Sequence, residues 1–219
     1  MKRVKFNRIS TKSEPYPHIS IDNFIPSESL VRAAATSFDV VPDDDWVKYG
    51  EGDNQIQYCS KNRQLTTPSA LLVLDYIASH FDPNVAFGDL TNDAFPDTSY
   101  YGGGMMITPI GGYLGMHVDA KVHGLHRNWV REYSAVLCIS EDYNSSFDLL
   151  LHDGEHTHTR VPYKYNRLNV FKCSENSWHG FPNPTEEFTR KTLGVMFWSA
   201  KNEDVRDAFK AKFNNDLEF

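Results

Sequence analysis

The sequence predicts a mainly β protein with flanking helices, built on a double-stranded β-helix: a jelly roll of eight short strands with helices packed on one sheet. Three observations predict it. After Gly104 the chain breaks into short apolar and β-branched segments separated by turn residues, at 105–108, 113–119, 131–140, 147–152, 156–161, 167–172, 177–181 and 190–199. Before Gly104, two segments carry helical rather than strand periodicity. Asp153-Gly154, a strong two-residue hairpin signal, sits between the fourth and fifth segments. A long hairpin folded back on itself would pair the second strand with the seventh and the first with the eighth.

Taken in order, Val4 to Ile9 alternates as an extended segment, and Pro15 and Pro17 punctuate the chain before a second one, His18 to Ile21. Pro26-Ser27 opens a helix over 28–38, with Leu30, Val31, Ala34 and Phe38 on or near one face. The stretch 43–62 reads as a loop or a strand pair. Thr67-Pro68 has the form of an N-cap followed by proline at the first helical position, and the helix should run to Phe81, burying Leu71, Leu74, Ile77 and Ala78. Residues 89–104 read as a mobile active-site loop. At the other end, Val205, Phe209 and Phe213 recur every four residues and predict an amphipathic helix over 204–213. The expected organisation is a single domain over 1–219: N-terminal strands, helices and loops to 103, a jelly-roll core over 104–200, and the C-terminal helix beyond.

With 22 Lys and Arg against 29 Asp and Glu, the net charge is −7. That balance argues against nucleic acid as a partner. No run of about 18 apolar residues is present, so no membrane span is expected. No signal peptide is evident, and the three scattered cysteines, Cys59, Cys138 and Cys173, fit reduced thiols in a cytoplasmic protein with no catalytic part.

The chemistry concentrates in His117-Val118-Asp119. On a strand, side chains alternate faces, so His117 and Asp119 point together while Val118 points away. One imidazole and one carboxylate on one face are two thirds of a 2-His-1-carboxylate triad for Fe(II). The predicted topology requires the third ligand on the seventh strand, and that strand, Ser177 to Phe181, contains His179. Arg190, eleven residues on, opens the eighth strand with a guanidinium suited to bidentate binding of a carboxylate. Thr192 faces the same side.

The pattern His-x-Asp, a His sixty residues later, then Arg-x-Thr, resembles the Fe(II)/2-oxoglutarate-dependent dioxygenases. The opening Tyr16-Pro17-His18-Ile19-Ser20-Ile21-Asp22-Asn23-Phe24-Ile25-Pro26 resembles the start of their prolyl 4-hydroxylase-like branch. The resemblance covers roughly residues 15–199. It implies that His117, Asp119 and His179 hold Fe(II), and that Arg190, helped by Thr192, pairs with the distal carboxylate of the co-substrate 2-oxoglutarate. It also implies O2 as the oxidant, with ascorbate as an accessory reductant. The implied activity is hydroxylation of an unactivated C–H in a peptide, such as a peptidyl proline, or in a small metabolite. Halogenating relatives have a small residue where Asp119 stands, so halogenation is not implied.

The chain departs from the branch twice. Cys138 stands where a co-substrate-contacting tyrosine is usual, and Ser145-Ser146-Phe147-Asp148 replaces a usual Gly-Gly-x-Leu. The second partner of the co-substrate is therefore open, with Thr108, Tyr113 and Ser134 as candidates. The alternative reading is a non-catalytic jelly-roll protein binding a metal or a sugar. Arg190 and Thr192 separate the two, because such a binder needs no clamp for a distal carboxylate.

The remaining polar clusters have plainer readings. His152, Glu155, His156 and His158 form the solvent face and turn of one hairpin. His123 and His126, with Lys121, Arg127 and Trp129, belong to a solvated loop. Trp178 packs into the core. Tyr100, Tyr101 and Tyr113 precede or open the triad strand and could line the pocket, and Trp46, Lys48 and Tyr49 resemble the branch's lid region. Arg131 could form an ion pair or reach the co-substrate.

Overall fold

The computed structural model describes residues 9–48, 56–60, 63, 66–89, 93–203, 205, 212–214 and 217. Of the expected strand 4–9, residues 4–8 lie outside these residues, as does Tyr49. Two antiparallel sheets carry the fold. The strands of the larger are β1 (Ile9–Lys12), β2 (His18–Asp22), β3 (Trp46–Lys48), β4 (Tyr58–Ser60), β5 (Phe95–Pro96), β6 (Gly104–Thr108), β8 (Trp129–Cys138), β11 (Arg167–Lys172) and β13 (Arg190–Ala200). Its order is β1-β2-β11-β8-β13-β6-β4-β3, with β5 also paired to β13. The smaller has the order β10-β9-β12-β7-β14, from β7 (Leu114–Val118), β9 (Leu149–His152), β10 (His158–Val161), β12 (Trp178–Phe181) and β14 (Lys212–Phe213). This is the predicted jelly roll. The second core strand, β7, pairs with the seventh, β12, and the first, β6, with the eighth, β13.

Strand alternation builds both the core and the site. On β8, β11 and β13 one set of side chains, including Tyr133, Ala135, Leu137, Leu168, Val170 and Leu193, faces the helices and forms the main core. The intervening set, including Ser134, Val136, Asn169, Phe171 and Thr192, faces the smaller sheet and lines a cavity between the two.

Helix α1 (Glu28–Thr36) starts at Ser27, whose hydroxyl accepts from the Leu30 amide at 3.3 Å, and buries Val31 and Ala34. A 3-10 turn over Ser37–Val40 follows it and carries Phe38 into the core. Helix α2 (Pro68–His80) begins at the expected proline, but the Thr67 side chain makes no cap bond. Its hydroxyl instead meets Ser37 Oγ at 2.6 Å, tying the two helices together. The buried stripe of α2 is Ala70, Val73, Leu74 and Ile77, not the expected set with Leu71 and Ala78, which are only half-buried. The stripe is rotated because α2 packs against both α1 and β13, and that contact, not hydrophobicity alone, chooses its inner face. A short helix α3 (Pro83–Ala86) follows, capped by Asp82.

One expectation fails outside the core. Lys212 and Phe213 form a strand on the edge of β7, not the end of a helix, because the open β7 edge offers them ladder hydrogen bonds; Val205 is not helical either, and 206–211 lie outside the described residues. The segment 43–62, expected as a loop or a strand pair, contains the strand pair β3–β4; 49–55, 61 and 62 lie outside the described residues. No helix among the described residues is long and apolar enough to cross a membrane.

Candidate metal and anion site

His117 lies near the end of β7, Asp119 one residue past it, and His179 on β12 directly opposite His117. All three are buried, and one ligand atom from each lies within 4.8 Å of the others; no other such group occurs among the described residues. The imidazole centroids are 4.2 Å apart, inclined at 50°. Close strand approach makes this possible. A Cβ on Gly180 would meet the carbonyl oxygens of Gly115 and Leu114 at 2.7 Å, so only glycine lets β12 sit so near β7 after His179.

The tautomers follow from geometry. His117 Nδ1–H donates to the Gly115 carbonyl at 3.0 Å, and His179 Nδ1–H donates to the Ser177 carbonyl at 2.9 Å. A carbonyl only accepts, so each Nδ1 carries a proton, and the tautomer this selects has its lone pair on Nε2. These Nε2 atoms lie 3.6 Å from Asp119 Oδ1 and 3.8 Å from Asp119 Oδ2 respectively. Burial, then the neighbouring His117, push the His179 pKa down to about 4, so it remains the neutral base a metal needs.

Asp119 is held from behind. Arg131 Nη1 lies 2.8 Å from Asp119 Oδ2, and Ser134 Oγ donates to the same oxygen at 2.9 Å. Burial pushes the Asp119 carboxyl up, but the Arg131 guanidinium and the two imidazoles outweigh it and hold the group well below the ordinary carboxylate range. Two imidazoles and one carboxylate converging on one point, each fixed by a second bond, suit a divalent first-row metal.

The triad opens into a cavity between the sheets. At β13 Arg190 also lines it, 5% exposed. Its guanidinium stacks 4.1 Å from the Phe181 ring centroid, and its Nε–H points at the Phe147 carbonyl at 3.4 Å. Burial pushes the Arg190 pKa down, and no carboxylate among the described residues neutralises it. Leaving a buried cation uncompensated costs several kcal/mol. Two hydroxyls near it are also unsatisfied: Thr192 Oγ1 and Thr108 Oγ1 are buried with no hydrogen-bond partner among the described residues. Thr108 lies directly opposite Arg190, and Thr192 opposite Met106. Each unpaired group costs roughly 1–3 kcal/mol, which an anionic, oxygen-rich ligand would recover.

Thus His117, Asp119, His179, Arg190 and Thr192 surround one cavity. Thr108 joins the same sheet face from the adjacent strand. Tyr113 does not line the cavity; its carbonyl accepts the Ile56 amide at 2.8 Å. Ser134 lines it but serves Asp119. Cys138 faces Thr192 across the ladder but packs with Phe147 and Tyr163, its thiol pushed up to about 11 by burial.

Several polar residues sit elsewhere than expected. His123 is buried, not solvated: its Nε2–H donates to Asp97 at 3.1 Å while its Nδ1 accepts the Leu125 and His126 amides. That clamp ties the loop after β7 to the 93–103 segment. His152 is buried too, its Nδ1 accepting the Gly154 amide in the β9–β10 turn. Trp178 is half-buried over Gly154 and does not enter the core. Tyr100 is buried with its hydroxyl donating to Asp75, and Tyr101, partly exposed, lies against His123 with its ring tilted by 38°; neither lines the cavity. Trp46 packs on Phe38, away from the cavity. Sequence reasoning missed Gln57 and Asn169 in the cavity wall and Phe213, whose ring stacks 5.4 Å from His117. Only the paired register of their strands brings them there.

No protein-family model and no curated protein matches the chain. Solved structures do. A Pseudomonas putida prolyl-4-hydroxylase superposes with a TM-score of 0.58 at 17% identity, over 84% of this chain and 93% of that one. A Trichoplax adhaerens prolyl hydroxylase, in complex with a hypoxia inducible factor oxygen degradation domain peptide fragment, gives 0.59 at 15% identity over 83% of each chain. HygX from Streptomyces hygroscopicus, with nickel, 2-oxoglutarate and hygromycin B bound, gives 0.56 at 9% identity over 85% of this chain and 84% of that one. At these identities the likeness is one of fold: this chain has the jelly-roll fold found in prolyl hydroxylases and 2-oxoglutarate/Fe(II) oxygenases.

Proposed function

We propose that the chain is an Fe(II)- and 2-oxoglutarate-dependent oxygenase that hydroxylates an unactivated C–H. One observation carries this reading: a buried triad shares a cavity with a buried arginine that has no carboxylate partner among the described residues. A plain metal- or sugar-binding jelly roll has no use for that second feature. His117, Asp119 and His179 are the metal ligands, and their donor set fits Fe(II). Arg190, with Thr192 and Thr108, receives the distal carboxylate of 2-oxoglutarate.

When bound, Fe(II) with 2-oxoglutarate and O2 supplies an oxidation that yields succinate, CO2 and a hydroxylated substrate. The residues of the chain position and shield it. The carbonyls of Gly115 and Ser177 keep both Nε2 atoms aimed into the site. Arg131 and Ser134 occupy Asp119 Oδ2, leaving Oδ1 as its free ligand atom. Met106, Met196, Phe171 and Phe181 give the cavity apolar walls that limit water.

The substrate belongs to one of two classes, a peptide residue such as proline or a small metabolite, and the same fold accommodates a bound peptide in one neighbour and hygromycin B in another. The test of the cofactor chemistry is anaerobic. Fe(II) and then 2-oxoglutarate are added to metal-free protein, and the visible charge-transfer band of the chelate is followed. The wild type should show the band, and Asp119→Ala and Arg190→Ala should lose it or need far more co-substrate. Iron uptake without a band would overturn the co-substrate, and no uptake at all would overturn the metal site. Succinate release across peptide and metabolite pools then separates the substrate classes.

A further inference from the structure

Gln57 is 3% exposed, lines the cavity, and keeps its Oε1 buried without a hydrogen-bond partner among the described residues. A buried carboxamide normally spends its hydrogen-bonding capacity inside the protein. Here part of it is held in reserve. Its position shows for what. Strand β4 runs beside β6 in the register Tyr58 opposite Ile107 and Cys59 opposite Met106. One step further, Gln57 comes level with Thr108, and Thr108 is directly opposite Arg190 on β13. Residues opposite one another on neighbouring strands share a face. Gln57, Thr108 and Arg190 therefore form one row across three strands, at the arginine end of the cavity.

The Gly111-Gly112 turn allows this approach. The Ile56 amide donates to the Tyr113 carbonyl at 2.8 Å. A Cβ on Gly112 would meet the Ile56 carbonyl oxygen at 2.6 Å and Thr108 Cγ2 at 2.7 Å. A side chain there would push the Gln57 segment off the row.

We propose that the Gln57 carboxamide is a co-substrate-binding residue, the partner of Arg190 for the distal carboxylate of 2-oxoglutarate. The inference rests on the co-substrate reading above. A half-turn of the carboxamide exchanges Oε1 for the Nε2–H donor, and the two orientations have the same shape. Arg190 brings the charge, and Gln57 adds a directed N–H to the same anion from the β4 side. This fills the place left open by Cys138, whose thiol is turned to Phe147 and Tyr163.

The test compares two 2-oxo acids that share the metal-chelating end and differ at the other. Calorimetric titration of 2-oxoglutarate and of pyruvate, which lacks the distal carboxylate, is carried out on Co(II)-loaded protein. Gln57→Met keeps the chain length and removes the amide, and it should weaken 2-oxoglutarate by about tenfold while leaving pyruvate within about twofold, since one hydrogen bond to a charged group is lost. Gln57→Glu sets a like charge beside the anion and should weaken 2-oxoglutarate further. Co(II) uptake and thermal melting check that each variant is folded, and the Glu variant carries the comparison if the Met variant is not. Unchanged 2-oxoglutarate binding in Gln57→Met, or an equal loss for both acids, overturns the inference. A wild type that takes up Co(II) but binds no 2-oxoglutarate overturns the co-substrate reading itself.

Discussion

Arg131 Nη1 and Asp119 Oδ2 form a buried ion pair at 2.8 Å, with Ser134 Oγ on the same carboxylate oxygen. The arginine therefore serves the carboxylate behind the triad, while Arg190 keeps the cavity end without a carboxylate partner among the described residues. Two buried cations in one site thus have different work, decided by which carboxylate is within reach.

Removing one member of such a pair strands the other. Arg131→Met should destabilise the metal-free protein by about 3–5 kcal/mol, because Asp119 would keep a buried charge with its main partner gone. The double variant Arg131→Met/Asp119→Leu should lose less than the single one. Urea denaturation of the metal-free proteins checks both; a double variant no more stable than the single one would show that the arginine matters for packing alone.

The β7–β12 contact fixes the spacing of the two imidazoles. Gly180→Ala places a Cβ 2.7 Å from two backbone oxygens that cannot move cheaply, so β12 must shift against β7. Expected are a stability loss of about 1–3 kcal/mol and metal affinity at least roughly tenfold weaker, as ligand spacing is lost. Co(II) absorption titration reads the second effect; wild-type affinity in the alanine variant would refute it.

Phe213 lies beside the triad from the edge strand β14, its ring nearly parallel to that of His117 at 22°. It shields the imidazole from solvent. Phe213→Ala should release metal to a chelator several-fold faster while the melting temperature of the metal-free protein changes little. Stopped-flow transfer to a coloured chelator measures the rate, and an unchanged rate would remove Phe213 from the site.

Asp22 ties β2 to the chain around β11: Arg167 Nε donates to its Oδ1 at 2.6 Å and Lys164 Nζ to its Oδ2 at 2.7 Å. The Arg167 hydrogen bond, working against partial burial and aided by Lys164, lowers its pKa to about 2. A depressed folded-state pKa contributes stability that is fully present above the unfolded value near 4 and is lost as pH falls toward 2. Allowing for solvent screening, that contribution is about 1 kcal/mol. Asp22→Asn should lose it at pH 6 and differ little from wild type near pH 2, in denaturant titrations at the two pH values.

The jelly-roll topology and most of the cavity face were legible in the chain because strand periodicity is local. His117 and Asp119 share a face by their spacing alone, and the demand that the second strand pair with the seventh singled out His179. The strand 167–172 was likewise readable from its turns and its apolar run. Other features needed partners far away in sequence. Gln57 reaches the Arg190 row only through the register of β4 on β6 and of β6 on β13. His123 reads as a loop residue until Asp97, from another segment, buries it. Phe213 reads as part of a helix until the edge of β7 offers it a ladder. Period and turn chemistry are written in a few neighbouring residues and decide which face a side chain takes. Which charge, hydroxyl or backbone edge then stands opposite depends on register and sheet closure, and the free energy of burial settles those only once the two sheets have packed.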